Sequence, residues 1–268
     1  MNLETNMKNT WCPGCGHFSI LAAAKQAINE IVEEGVKPEN IVIASGIGCH
    51  AKIVDYINVN SFYSIHGRVP PTLTGMKIAN PELTAIGFAG DGDGYGEGLA
   101  HLIFAAKRNV NITMIMHNNR IYGLTTGQFS PTTPEGMRTK SSPVGNPEFP
   151  LNPIKLMIAS GATFVARCSS FDIKNLKETI KEAVNHKGFS IVDVIEPCIS
   201  FFNSTKYLKE NIYKMEGHDP TNEIEAMKKA SEWNYTLEGK IPIGIFYKVD
   251  KPTYDELLLK GRNPKAMK

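Results

Sequence analysis

The sequence predicts an α/β protein built on a parallel sheet with helices on both faces. Three observations lead there. Leu83–Ala89 is an unbroken apolar run of strand length, the pattern of a strand buried on both sides. Glu97–Arg108 then reads as a helix, and Ile112–Met116 is a second short apolar run, so the three form a strand–helix–strand unit. The same alternation recurs further along the chain. Gly90-Asp-Gly-Asp93 lies between the first strand and the helix, and the second strand ends at Asn118-Asn119. An acidic glycine turn and an amide pair therefore belong at the carboxyl ends of two strands, the edge where open parallel sheets bind ligands.

The other elements follow in order. Ile20, Leu21, Ala24, Ala27, Ile28, Ile31 and Val32 recur at helical spacing, and Gly35 stops that helix. Ile41–Ser45 is a short buried strand running into Gly46-Ile-Gly-Cys49-His50, and Ala51–Ile57 is expected to be helical. Ser61–Ile65 is a weaker strand, followed by His66-Gly-Arg68 and broken by Pro70-Pro71. Arg120–Pro153 is rich in Gly, Pro, Ser and Thr, and a loop of that length inside a domain is usually functional or mobile. Thr163–Arg167 is a strand with Cys168 at its end. Asn175–His186 is an amphipathic helix closed by Gly188, and Phe189–Ile195 is a strand ending at Glu196-Pro-Cys198. After Asn203 the texture becomes charged. Tyr207–Trp233 carries helical tracts, Ile243–Tyr247 is a late strand, and Lys251–Lys268 reads as a polar tail. The expected division is a ligand-binding domain over 1–203 and a C-terminal extension over 204–268 that packs on that domain or on a partner subunit.

Composition narrows the function. The 268 residues are 42% hydrophobic with a formal net charge of +2 and well-mixed signs, which argues against an electrostatic nucleic-acid binder. No 18-residue apolar span suggests a membrane helix, and the amino terminus lacks the basic-then-apolar pattern of a signal peptide. A cytosolic location is expected, where thiols stay reduced, so the five cysteines call for an explanation other than disulfides.

The acidic turn has rivals. Its glycines alternate, so no triple has the spacing of a dinucleotide motif. As an EF-hand loop starting at Asp91 it would need an oxygen ligand at Tyr95 and a closing Glu at Leu102. The bland alternative is a plain glycine turn. An anionic Asp, a neutral Asn and closely approaching backbone amides instead suit a Mg²⁺ shared with a diphosphate. The cysteines form a second pattern. Cys12 and Cys15 are a chelating C-x-x-C pair, and Cys49 and Cys198 each follow a predicted strand, so both belong on the ligand edge. Four converging thiolates suit tetrahedral Zn²⁺ or an iron–sulfur cluster, and residue spacing alone leaves that choice open. Cys168 reads as a small core residue.

These motifs, in this order, resemble a known family. The Gly90-Asp-Gly and Asn118-Asn119 segments, 25 residues apart, are similar to the thiamine diphosphate motif. Cys12-Pro-Gly-Cys-Gly16, Gly46-Ile-Gly-Cys49, His66-Gly-Arg68, Ile121-Tyr-Gly-Leu-Thr125, Gly127-Gln128, Ser130-Pro-Thr132 and Pro197-Cys198 complete the resemblance to the β subunit of 2-oxoacid:ferredoxin oxidoreductases, from about Trp11 to Asn203. The resemblance implies the thiamine diphosphate-binding fold. It implies a [4Fe–4S] cluster on Cys12, Cys15, Cys49 and Cys198. It assigns Mg²⁺ to Asp91, Asn119 and the Ile121 carbonyl. It assigns thiamine diphosphate to Ile47, Gly48, Cys49, His50, His66, Gly90, Gly92, Asp93, Gly123 and Leu124. The implied reaction is oxidative decarboxylation of a 2-oxoacid to acyl-CoA, with coenzyme A as co-substrate and electrons passing through the cluster to ferredoxin.

Activity is expected only with an α-type partner, which supplies a catalytic Glu; γ- or δ-type subunits can accompany it. Catalytic candidates in this chain are Lys52, His66 and Thr126. Relatives often carry Lys where Thr126 stands, and 2-oxoglutarate is expected slightly ahead of pyruvate. A competing class is a cluster-bearing electron-transfer or sensing protein without turnover, and another is a zinc-stabilised scaffold.

Overall fold

A computed structural model describes residues 1–264. One eight-stranded sheet runs through it. The strands are β1 (Ile41–Ser45), β2 (Asn60–Tyr63), β3 (Thr84–Gly90), β4 (Thr113–Asn118), β5 (Phe164–Ser169), β6 (Ser190–Ile195), β7 (Ile212–Lys214) and β8 (Ile241–Lys248). Their spatial order is β2-β1-β3-β4-β6-β5-β8-β7. β1 to β6 are mutually parallel, whereas β8 runs antiparallel to β5 and carries β7 parallel to itself. β1, β4, β5 and β6 are buried along their whole length, as continuous apolar strands in a two-faced sheet should be.

Helices cover both faces. On one side lie α1 (His17–Glu33) and α5 (Ile173–Asn185), whose Ile20, Ile28, Ile31, Leu176 and Ile180 enter the core beneath β1 and β6. Burying each of those side chains contributes about 1.5–3 kcal/mol. Lys177 and Lys181 reach across to Glu30 at 2.7 and 3.0 Å. On the other side lie α2 (Val69–Ala79), α3 (Leu99–Arg108) and α4 (Pro153–Ala159), which insert Leu73, Leu102, Ile154 and Met157. The chain after residue 203 forms α6 (Thr205–Asn211), α7 (Glu223–Ala230) and α8 (Tyr254–Leu259) as well as β7 and β8. Its Leu208, Trp233, Tyr235, Ile241 and Ile243 close a third core with Ile195 of β6.

Several local expectations change. The segment expected as a helix over Ala51–Ile57 is a 3₁₀ helix over Cys49–Asp55, with Ala51 N–H bonding Gly48 O at 3.1 Å. Pro70-Pro71 do not merely end a strand. They open α2, because proline's missing N–H is one the first turn cannot use. α3 begins at Leu99 rather than Glu97, since Asp91–Glu97 is wound into a π-helical turn. Cys168 lies within β5, wholly buried, rather than at its end. The polar tail contains α8, capped by Thr253 and Glu256; residues 265–268 of that tail lie outside the described residues.

Candidate functional site

The strand order places the site. β1 pairs with β2 on one side and with β3 on the other, so the loops leaving β1 and β3 diverge and open a crevice at the carboxyl edge. Into it project Ile47, Gly48, Cys49 and His50 after β1, His66 after β2, Gly90 to Asp93 after β3, and Asn119 and Ile121 to Thr125 after β4. A single cavity brings together every residue that the resemblance assigned to thiamine diphosphate and Mg²⁺.

Asp93 ties the rim together. Its Oδ1 accepts from Gly67 N–H at 2.7 Å and Ile47 N–H at 3.3 Å, and His66 Nδ1 sits 3.0 Å away. The loops after β1, β2 and β3 thus converge on one buried carboxylate. Burial alone would raise that carboxyl, but His50 and the Gly67 and Ile47 amides outweigh it and hold it below the usual carboxylate range. Gly46 makes the approach possible, because a Cβ there would lie 2.5 Å from both Asp93 Cγ and Oδ1.

Asp91 faces a different environment. It is 1% exposed, its Oδ2 accepts from Ser130 Oγ, and Thr132 Oγ1 lies 3.3 Å from the same oxygen. Burial pushes its carboxyl up to about 7, against the Ser130 bond that opposes the shift. A desolvated carboxylate whose bonds are gathered on one oxygen fits a cation ligand. Asn119 Oδ1 accepts from Ile121 N–H at 3.0 Å, which leaves it a second lone pair. Tyr122 closes over the glycine turn, its OH donating to Gly92 O at 3.2 Å.

Three buried residues escaped the sequence reading. His17, His117 and Glu196 meet beneath the cavity. His17 Nδ1 lies 2.7 Å from Glu196 Oε1 and 3.1 Å from His117 Nδ1. The Nε2 atoms of His50 and His117 are buried and without a hydrogen-bond partner. Both histidines line the cavity; His50 Nε2 faces Asp93 Oδ2 at 3.5 Å, so His117 is the one with a ring nitrogen free for a polar heterocycle. Burial depresses both imidazoles, which favours the neutral form. A signal for Glu196 was present, since it follows β6 at the ligand edge. His17 opens a helix right after the C-x-x-C-Gly run. His117 lies inside a strand, where no local cue marks it.

A second cavity of about 240 Å³ adjoins the first and is lined by Cys12, Cys15, Cys49 and Cys198. Thus the four cysteines singled out in the sequence converge, and Cys168 is elsewhere in the core. Cys15 N–H bonds Cys12 O at 3.1 Å, and Ser200 Oγ donates to Cys12 Sγ at 3.3 Å. Trp11 Nε1 donates to Cys49 O at 2.6 Å. Burial raises the Cys15 thiol to about 12 and also raises Cys49 and Cys198. Thiols packed this way stay protonated unless a positive centre binds them, so the donor set fits a thiophilic group. The two cavities share His17, Cys49, Asn119, Gly123 and Leu124 as a common wall.

The catalytic candidates divide. Lys52 and Thr126 line the cysteine cavity, while His66 lines the first. Lys52 Nζ donates to Thr10 Oγ1 at 2.8 Å. Thr126 has φ +75°, unusual for a β-branched residue, and its Oγ1 accepts from Lys140 Nζ at 2.7 Å. Arg68 lines neither cavity and caps the start of α2.

Known proteins resemble the chain over nearly its whole length. Residues 46–194 match the family model described as thiamine pyrophosphate enzyme, C-terminal TPP binding domain. Residues 198–262 match the model for the C-terminal part of the pyruvate ferredoxin oxidoreductase β chain. The protein is 44% identical to a 2-oxoacid:ferredoxin oxidoreductase β subunit of Aeropyrum pernix, over 97% of this chain and 84% of that one. It is 34% identical to the 2-oxoglutarate synthase subunit KorB of Methanocaldococcus jannaschii, over 96% and 94%. Among solved structures, a chain of the 2-oxoglutarate:ferredoxin oxidoreductase from Magnetococcus marinus superposes with a TM-score of 0.91 at 35% identity, covering 97% of this chain and 88% of that one. That structure is described as holding 2-oxoglutarate, coenzyme A and succinyl-CoA.

Proposed function

The chain belongs to the 2-oxoacid:ferredoxin oxidoreductase β subunits, and from that premise we propose that it carries the thiamine diphosphate, Mg²⁺ and [4Fe–4S] centres of a complex that oxidatively decarboxylates a 2-oxoacid, 2-oxoglutarate ahead of pyruvate, to its acyl-CoA. One observation carries the reading. The cavity that suits the cofactor and the cavity that gathers four cysteines share a wall, of which Cys49 is part. Groups held in the two cavities would be neighbours across that wall.

The residues divide the work. Asp91, Asn119 and the Ile121 carbonyl would supply the hard oxygen donors that a Mg²⁺ shared with a diphosphate requires. Asp93 keeps the three loops in register. Thiamine diphosphate supplies the electron sink that decarboxylation needs. Neutral His117 offers a ring nitrogen within the cavity without adding charge. Cys12, Cys15, Cys49 and Cys198 hold the cluster, with Ser200 and Trp11 bonding to the chain around it. Two cations reach the cysteine cavity's walls: Lys52 directly, and Lys140 through Thr126. The relatives named as 2-oxoglutarate synthase subunits support the preference for 2-oxoglutarate. Among the described residues, Asp91 and Asp93 are the acids that line the cofactor cavity, each held by other partners, and Glu196 lies beneath it against His17. Turnover therefore awaits the α-type partner, and ferredoxin is the outlet.

The test uses the complex purified without oxygen with its natural partners. It should be brown, contain about four iron and four sulfide per β chain, and reduce ferredoxin with 2-oxoglutarate only when coenzyme A is present. Stoichiometric zinc without iron, or no reduction with any 2-oxoacid, overturns the reading.

A further inference from the structure

Arg120 stands between Asn119 and Ile121, the two residues read as Mg²⁺ ligands beside Asp91. Its backbone is left-handed, with φ +62°. That conformation turns its side chain away from the cavity. The guanidinium is wholly buried, yet its Nε and Nη2 have no hydrogen-bond partner. Nη1 alone donates, to Thr236 O at 3.3 Å. The charge instead lies over aromatic rings of the C-terminal segment, 4.7 Å from the Phe202 centroid, 5.6 Å from Trp233 and 5.9 Å from Tyr207.

A charged group buried with two unused donors is costly, and a non-glycine residue at positive φ adds strain. Such a feature persists only where the surroundings over-determine it. Here they do. Cation–π contacts are strongest when desolvated, and the guanidinium and Trp233 are wholly buried, with Phe202 and Tyr207 partly so. The Arg120 carbonyl accepts from Thr133 Oγ1, whose oxygen in turn accepts from Ser130 N–H at 2.7 Å; Ser130 holds Asp91. One residue thus joins the C-terminal cage, the turn carrying two ligands, and the loop that restrains the third.

We propose that Arg120 is a positioning residue: caged by Phe202, Tyr207 and Trp233, it fixes the turn that presents Asn119 Oδ1 and the Ile121 carbonyl to Mg²⁺. The C-terminal segment, far from the cofactor in sequence, is then part of the cation site's support. The idea rests on the Mg²⁺ assignment, so its test includes a control for that assignment.

The experiment measures Mg²⁺-dependent binding of thiamine diphosphate by titration calorimetry on the assembled complex, stripped and reloaded. Three variants are compared: Arg120→Met, which refills the cage without charge; Arg120→Gly, which relaxes the left-handed backbone but leaves the cage empty; and Asp91→Ala. Assembly and thermal unfolding are followed in parallel. Both Arg120 variants should assemble and bind Mg²⁺ and cofactor about 10–100-fold more weakly, the usual loss when an outer-shell partner is removed. Wild-type affinity in Arg120→Gly would mean that backbone conformation alone sets the turn, and the cage proposal falls. If Arg120→Met cannot assemble, Trp233→Leu tests the cage from the other side with the same readout, and unchanged affinity there overturns the proposal. Loss in Asp91→Ala with none in the Arg120 variants defeats this inference only. No loss in Asp91→Ala defeats the Mg²⁺ assignment beneath it.

Discussion

Gly46→Ala gives the sharpest test of how the cofactor cavity is built. A Cβ at position 46 would lie 2.5 Å from both Asp93 Cγ and Oδ1, a separation no real pair of non-bonded atoms of this kind tolerates. The carboxylate cannot step aside freely, because Gly67 N–H and Ile47 N–H hold it at 2.7 and 3.3 Å and His66 flanks it at 3.0 Å. Displacing it breaks two bonds to a buried charge, each worth about 1.5–3 kcal/mol. The expected loss is therefore about 3–6 kcal/mol, a large share of a typical domain's stability. For a chain of this size, 1 kcal/mol moves the melting temperature by roughly 2–4 °C, so the midpoint should fall by about 6 °C or more. Gly75→Ala is the matched control. Gly75 lies within α2, and its added Cβ meets nothing within 4 Å. Alanine's higher helix propensity should there raise stability by about 0.8–1 kcal/mol. Calorimetric melting of the two variants, with cofactor binding measured alongside, decides the matter. Equal melting points for Gly46→Ala and wild type would refute the claim that Asp93 is a fixed strut.

Further outcomes follow from the same geometry. Cys198→Ala should lose iron and the brown colour while Cys168→Ala keeps both, as read by metal analysis and visible absorption; equal loss in the two would dissociate the cysteine cavity from the cluster. Lys52→Met and Lys140→Met should each lower catalytic efficiency on 2-oxoglutarate more than on pyruvate, by only about 2–5-fold because both ammonium groups are solvent-exposed; an unchanged substrate ranking places selection in the partner subunit. The isolated chain should show negligible 2-oxoacid oxidation until its α-type partner is added, and full activity alone would remove the need for an acid from outside.

Much of the architecture was legible because its code is local. Apolar runs such as Ile41–Ser45 match β1 residue for residue, and the helical spacing from Ile20 to Val32 found α1. Cys49, Cys198 and the acidic turn were legible too, since each follows a strand and a parallel sheet sends all such loops to one edge, while Cys12 and Cys15 announced themselves as a chelating pair. Pro70-Pro71 misled because proline breaks a strand and opens a helix equally well, and only the following turn distinguishes the two.

The sequence by itself determined the strands and the edge of the sheet where the glycine turn, the amide pair and the strand-end cysteines lie. Tertiary structure decided who meets whom. His17 and His117 touch across a hundred positions because the first residue of α1 meets the end of β4, and periodicity says nothing of that pairing. Arg120 lies in an aromatic cage assembled from residues 202 to 233, a contact that no local pattern announces. The reason is physical. Hydrogen-bonding and burial preferences act over a few residues and leave their period in the chain, whereas strand order and the helix faces that it brings together arise only when the whole core closes.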